Sequence, residues 1–252
     1  MTLIVALRHQ EGLVLASDSQ ATADTSGQAT KQETDKLFLL GGVMGWGGSG
    51  SEGLVQRLQH DLEKSQHEIR QGFAKHGAED GANKLFPIVN QIQHQALKEL
   101  IQPFSREPQA LAVLFAGYAH GQPFILEIAR NGTRQFHNAP YAAIGSGDIF
   151  AVHAIRSVAH YDVTSLSQDR ALALAYRTVD NAIRTAAYFL GGRVQLLAIT
   201  QEKAWCLTEG ETRVVEDLVD IWKQKEVEVL GSLSSAPGPP APPPAVEEPP
   251  RE

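Results

Sequence analysis

The chain has 252 residues, 42 % of them hydrophobic and 20 % charged, enough for one large domain with a buried core. Its formal net charge of -7 argues against nucleic acid or an anionic membrane as the main partner. One cysteine, Cys206, rules out a disulfide framework or a cysteine metal cluster within the chain and points to a reducing compartment.

The run Leu3-Ile4-Val5-Ala6-Leu7 is apolar but short, and it meets Arg8 and His9 at once. It reads as a strand rather than a signal peptide, and a cytoplasmic location is expected. Glu11-Gly12 is a turn signal, and Leu13 to Ala16 is the second strand of a hairpin. Lys36 to Leu40 and Gly42 to Trp46 predict another strand pair, and the Gly-Ser stretch Gly45 to Ser51 predicts a loop. A helical pattern runs from Glu52 to about Gln71, with Leu54, Val55, Leu58 and Leu62 on one face. A second runs from Ala82 to Ile101, with Pro87 near its start, where proline is best tolerated.

Three strands follow, Ala110 to Ala119, Pro123 to Ala129 and Arg134 to His137, with turns at Gly121 and Asn131-Gly132. Gly145-Ser146-Gly147-Asp148 predicts a loop that opens a helix from about Ile149 to His160. Another helix spans Ser167 to about Phe189, where Gly191-Gly192 ends it. Strands Val194 to Thr200 and Ala204 to Leu207 precede a last helix, Glu211 to about Val229. Cys206 follows Trp205 in an apolar run and is expected in the core. The helices come in pairs between blocks of strands. That order predicts an α+β sandwich of layers, not a doubly wound parallel sheet. The domain is expected to cover 2–230. Residues 237–252 hold eight of the thirteen prolines, so 231–252 is expected to be a disordered or polyproline-like tail.

Thr2 is the first candidate for chemistry. Removal of Met1 is favoured before a small side chain, and it leaves a threonine with both a hydroxyl and a free α-amine. Such an amine titrates near ~7.7–8.0 and can serve as a general base at neutral pH. Many chains begin Met-Thr, and for most the terminus is inert. The context is more specific. Asp18-Ser19-Gln20-Ala21-Thr22 closes the opening hairpin, Asp35-Lys36-Leu37-Phe38 starts a strand, and Ser49-Gly50 follows it. Gly145-Ser146-Gly147 and Gly191-Gly192 come later in the chain.

In this order and spacing, residues 2–208 resemble the proteasome β subunits and the related bacterial peptidase HslV, which are N-terminal-nucleophile hydrolases. The resemblance implies a four-layer αββα sandwich with Thr2 as nucleophile and, through its amine, as base. Lys36 would tune the hydroxyl and Asp18 would hold Lys36; Lys31 competes for the lysine role. The Gly50 N–H would donate to the oxyanion, and Ser146 would position the amine. The substrate pocket would be lined by Ala21, Thr34, Gly48, Glu52 and Gln56. Glu52 would favour a long or basic side chain there, although a carboxylate at a helix N-terminus is also simply stabilising.

One departure stands out. The family usually carries an aspartate and a serine just before the double glycine, and the matching positions here are Ala187 and Leu190. Tyr188 and Thr185 are the nearest polar residues, and Asp180 lies about 10 Å back along the helix. The resemblance further implies stacked rings of identical subunits, a peptide or unfolded protein as substrate, and an ATPase unfoldase as a possible partner. No nucleic acid, membrane or cofactor is expected. The nine histidines show no ligand spacing and no phosphate-binding loop occurs. Two other readings stay open: an inactive structural subunit of the same fold, and an amide hydrolase for a small metabolite.

Overall fold

The computed structural model describes residues 2–25, 28–100, 111–158, 160, 162–187 and 190–233. Strands β1 (Leu3–His9) and β2 (Gly12–Asp18) form the expected hairpin. Both are buried along almost their whole length, which explains their unbroken apolar runs. Ile4 and Ala6 face a core between two sheets, while Leu3, Val5 and Leu7 are buried on the opposite face.

Two strands not legible in the sequence come next, β3 (Gln20–Thr25) and β4 (Gln28–Glu33), an antiparallel ribbon of mostly polar residues. Then β5 (Leu37–Leu40) pairs with β6 (Met44–Ser49). The expected loop from Gly45 is therefore mostly strand. Its glycines mark close approach, not a turn. A Cβ on Gly45 would meet Leu197 at 2.6 Å, and one on Gly47 would meet Ile4 at 2.8 Å. Bare backbone lets this strand press against the other sheet.

Helix α1 (Glu52–Gln71) passes through a π-helical turn, Gly72–His76, into α2 (Ala78–Leu100). Ser51 caps α1 by accepting the Leu54 N–H. The helix start expected at Ala82 thus lies one turn earlier, and its expected end at Ile101 lies outside the described residues. Strands β7 (Ala112–Ala119), β8 (Gln122–Ile128) and β9 (Arg134–Phe136) follow as a meander. β10 (Tyr141–Gly145) was not legible; it pairs with β1. Helices α3 (Asp148–Ser157) and α4 (Gln168–Thr185) flank a short 3-10 turn, and α4 ends one turn short of Phe189. β11 (Val194–Ile199), β12 (Ala204–Cys206) and α5 (Glu209–Leu233) complete the described chain. Cys206 is exposed at the end of β12, not in the core: the run that suggested burial is only three residues of edge strand.

The strands form two five-stranded antiparallel sheets, ordered β10-β1-β2-β11-β12 and β5-β6-β7-β8-β9. Ile4, Leu15, Leu197, Leu114 and Ile125 fill the space between them. Helices α1 and α2 cover the second sheet, with Leu58, Leu62, Leu85 and Ile92 packed on Trp46, Phe115 and Leu126. Helices α3 and α4 contact β1 and β2 of the first sheet. The architecture is an αββα sandwich. One compact unit ends at Val219, and the described residues 220–233 belong to a second. The Pro-rich segment from 234 lies outside the described residues. Among the described residues no helix is long and apolar enough to cross a membrane.

Candidate active site

The site gathers at one end of the inter-sheet core, where β1 begins and β2 ends. Thr2 precedes β1 and is 8 % exposed. The Leu3 N–H donates to Asp18 Oδ1 at 2.9 Å, which ties the strand start to the end of β2. The turn after β10 wraps Thr2 from the other side. The Gly147 N–H donates to the Thr2 carbonyl at 3.3 Å, and the Thr2 N–H donates to Ser146 Oγ at 3.4 Å. While Met1 is attached this nitrogen is a peptide N–H; cleavage of that bond turns it into an amine at the same place. Gly145 has φ +100°, and a Cβ there would lie 2.1 Å from the Thr2 carbonyl oxygen. Only glycine fits such an approach.

Lys36 enters from the loop before β5. Its Nζ donates to Asp18 Oδ1 at 2.9 Å and to the Gln20 carbonyl at 2.7 Å. Asp18 is fully buried and Lys36 is 5 % exposed. Burial pushes the Lys36 ammonium below its ordinary range, and the Asp18 charge and hydrogen bond oppose that push. The rival lysine is elsewhere. Lys31 is exposed, and its Nζ donates to the Ala187 carbonyl at 3.4 Å.

Thr2, Lys36 and Gly50 line one cavity of about 320 Å³, together with Ala21, Thr34, Gly48, Glu52 and Gln56. The two remaining candidates sit behind the wall: Asp18 under Lys36, and Ser146 on the Thr2 nitrogen. Sequence reasoning missed Gln20, Asp35, Phe38, Ser51, Val55 and Gln59 as lining residues. Gln59 carried a usable signal. It lies one helical turn beyond Gln56, which itself follows Glu52 by four residues, so the three share a face. The double glycine is explained by contact. A Cβ on Gly191 would meet Gln20 Oε1 at 2.2 Å, and one on Gly192 would meet Ser19 Oγ at 2.2 Å.

At the departing positions, Ala187 is exposed and Leu190 is buried, its methyl 2.8 Å from where a Cβ on Gly147 would be. An apolar side chain thus packs under the turn that carries Ser146. Thr185 is exposed, Asp180 accepts from Arg184 on α4 at 2.9 Å, and Tyr188 lies outside the described residues. Among the described residues no cluster of three or more His, Cys, Asp or Glu side chains could hold a metal ion.

A family model described as proteasome subunit matches residues 2–196. The chain belongs to the proteasome subunit family. It is 28 % identical over 191 residues to the proteasome subunit beta of Stackebrandtia nassauensis, a match over 71 % of this chain. The match spans 63 % of that relative, less than two thirds of its length. It is 26 % identical to proteasome subunit beta 1 of Pyrococcus furiosus, over 80 % of this chain and 93 % of that one. Among solved structures, Anbu (ancestral beta-subunit) from Yersinia bercovieri superposes with a TM-score of 0.68 at 18 % identity, covering 95 % of this chain and 100 % of that one. At that identity the likeness is one of fold. Within this proteasome-family chain, the matched segment takes in Thr2, Asp18, Lys36, Gly50 and Ser146.

Proposed function

We propose that this chain is a threonine-type peptidase subunit of a self-compartmentalised, proteasome-like assembly of identical subunits in the cytoplasm. One observation carries the reading: Thr2 and Lys36 line the same cavity, with Asp18 buried behind the lysine and bonded to it. In this reading, cleavage of the Met1–Thr2 bond frees the amine. The amine takes the hydroxyl proton as the Thr2 oxygen attacks the scissile carbonyl carbon. The Lys36 ammonium lowers the cost of the developing alkoxide. The Gly50 N–H faces the oxyanion, where one donor is typically worth ~10²–10³ in rate. Collapse breaks the C–N bond and returns the proton to the departing amine. Water then hydrolyses the Thr2 ester. A polypeptide is the substrate class in this reading, and the cavity of about 320 Å³ beside Thr2 would take the side chain before the scissile bond.

A second reading, a structural subunit without hydrolysis, is favoured by Leu190. Its apolar packing at the turn leaves the Thr2 nitrogen with Ser146 rather than a serine and an aspartate. Intact mass before and after incubation with a peptide epoxyketone separates the two. That warhead closes its ring only on a free N-terminal threonine. Loss of Met1 and a single adduct, absent in Thr2→Ala, supports the peptidase. Loss of Met1 without an adduct supports the structural subunit. Retained Met1 ends the peptidase reading.

A further inference from the structure

Lys36 is gripped at its head by Asp18, but its main chain lies in an irregular loop, 34–36, between two sheets. Gln195 on β11 holds that loop. Its Oε1 accepts the Lys36 N–H at 2.9 Å and the Ser17 hydroxyl at 3.3 Å. Its Nε2 donates to the Thr34 carbonyl at 3.0 Å and to Asp35 Oδ1 at 2.9 Å. Four hydrogen bonds use both lone pairs and both hydrogens of one carboxamide. The orientation is fixed, because a main-chain N–H faces the oxygen and a main-chain carbonyl faces the nitrogen. No hydrocarbon can replace this group, and a carboxylate would meet the Thr34 carbonyl and the Asp35 carboxylate.

The register makes the grip rigid. Gln195 pairs with Ser17, and its neighbour Val194 pairs with Asp18. Adjacent rungs of β2 and β11 therefore hold the two ends of Lys36: Asp18 holds the ammonium, Gln195 the main chain. Both anchors sit on the first sheet, whereas Lys36 leads into the second. Without Gln195 the loop keeps the Thr34 N–H bond to the Ser19 carbonyl at 2.9 Å and Asp18's hold on Nζ, but Lys36 loses the acceptor for its main-chain N–H.

We propose that Gln195 is a positioning residue for the Thr2 reaction: by fixing the main chain at 34–36 it aims the Lys36 ammonium at the nucleophile. The inference rests on the reading of Thr2 as nucleophile. A misplacement near 1 Å can cost ~10²-fold in a step that depends on alignment.

The test is the rate of peptide epoxyketone adduct formation on the full chain, followed by intact mass against probe concentration. This yields a maximal labelling rate and a probe affinity separately. Gln195→Ala is expected to lower the maximal rate by about 10–100-fold while affinity changes by less than about threefold. Ser17→Ala, which removes only one of the four bonds, is expected to stay within about twofold of wild type. If Gln195→Ala does not fold, Gln195→Glu serves. It keeps the acceptor for the Lys36 N–H, and adding Asp35→Asn supplies a donor to the new carboxylate and should restore part of the lost rate. A wild-type adduct with an unchanged maximal rate in Gln195→Ala overturns the inference alone. So does a loss confined to affinity, an equal loss in Ser17→Ala, or no recovery on adding Asp35→Asn. No adduct on wild-type chains lacking Met1 overturns the nucleophile reading and this inference with it.

Discussion

Lys36 Nζ stands 2.9 Å from Asp18 Oδ1, and the two side chains are 6 % and 0 % exposed. Two charges taken this far from water depend on each other: either alone is a buried ion without its counter-charge. The other Asp18 oxygen is buried with no hydrogen-bond partner among the described residues. Asp18→Asn or Lys36→Met is therefore expected to cost about 3–5 kcal/mol. The double variant is expected to recover most of that loss, since it leaves no unpaired charge. Urea denaturation of the four proteins gives the coupling, and strict additivity would contradict a mutually dependent pair.

His9 supplies a pH prediction away from the site. It is buried at the end of β1, and its Nδ1 accepts the Glu11 N–H at 3.3 Å. Burial lowers its pKa below 6.5, and the Glu11 charge opposes this only partly. The unfolded chain then binds more protons than the folded one between the lowered value and about 6.5, the ordinary histidine pKa. Stability rises with pH through that window, is lost as the solution is acidified through it, and changes no further on this account below it. Protonation also removes the lone pair that accepts from Glu11. His9→Gln is expected to flatten the acid side of the stability profile by at most one proton's slope, about 1.4 kcal/mol per pH unit. Thermal unfolding of both proteins between pH 7.5 and 5 is the check; parallel profiles would exclude His9 as the group.

The layered sandwich was legible because the buried strands and helices wrote their periods into the sequence. β1 carries an unbroken apolar run, and α1 places Leu54, Leu58 and Leu62 on one side. The β3–β4 ribbon was illegible because its residues are mostly polar and gave no apolar alternation. The glycines of β6 misled in the opposite sense: they serve close packing of two sheets and looked like a turn. For the site, the resemblance to the family put Lys36, Gly48 and Glu52 among the candidates, and all three line the cavity. Gln195 could not be found that way. A lone glutamine in a strand becomes informative only when the register sets it beside Ser17 and across from a loop 160 residues earlier.

Gly145 offers a test of how tightly Thr2 is seated. Its φ of +100° is strained for any residue with a side chain, and a Cβ would fall 2.1 Å from the Thr2 carbonyl oxygen. Gly145→Ala is expected to destabilise by about 1–3 kcal/mol from the backbone alone. It should also displace Thr2, so epoxyketone labelling should fall more than the loss of folded protein explains. Gly53→Ala is the control, because nothing lies within 4 Å of where its methyl would stand and α1 accepts alanine readily. Equal labelling by the two folded variants would mean that Thr2 does not depend on that close contact.

The cavity predicts a preference among substrates. Asp35 and Glu52 are carboxylates on its wall; Asp35 lies 3.7 Å from the Arg193 guanidinium and Lys36 is engaged by Asp18, so Glu52 carries the wall's net negative charge. Gln20, Gln56 and Gln59 add neutral polar groups. Glu52 Oε1 accepts from Gln56 Nε2 at 3.1 Å, which orients the carboxylate while leaving it open to solvent. A basic side chain before the scissile bond would meet net negative charge, whereas an acidic one would be repelled. Exposed pairs of this kind contribute about 0.2–1 kcal/mol, so Glu52→Gln should lower kcat/KM for an arginine peptide by no more than about fivefold. A leucine peptide should be unaffected. The arginine preference should also shrink with added salt, because the carboxylate is exposed. Fluorogenic peptides differing only at that residue measure the ratio, and equal cleavage of arginine and leucine peptides by wild-type protein would reject an acidic specificity wall.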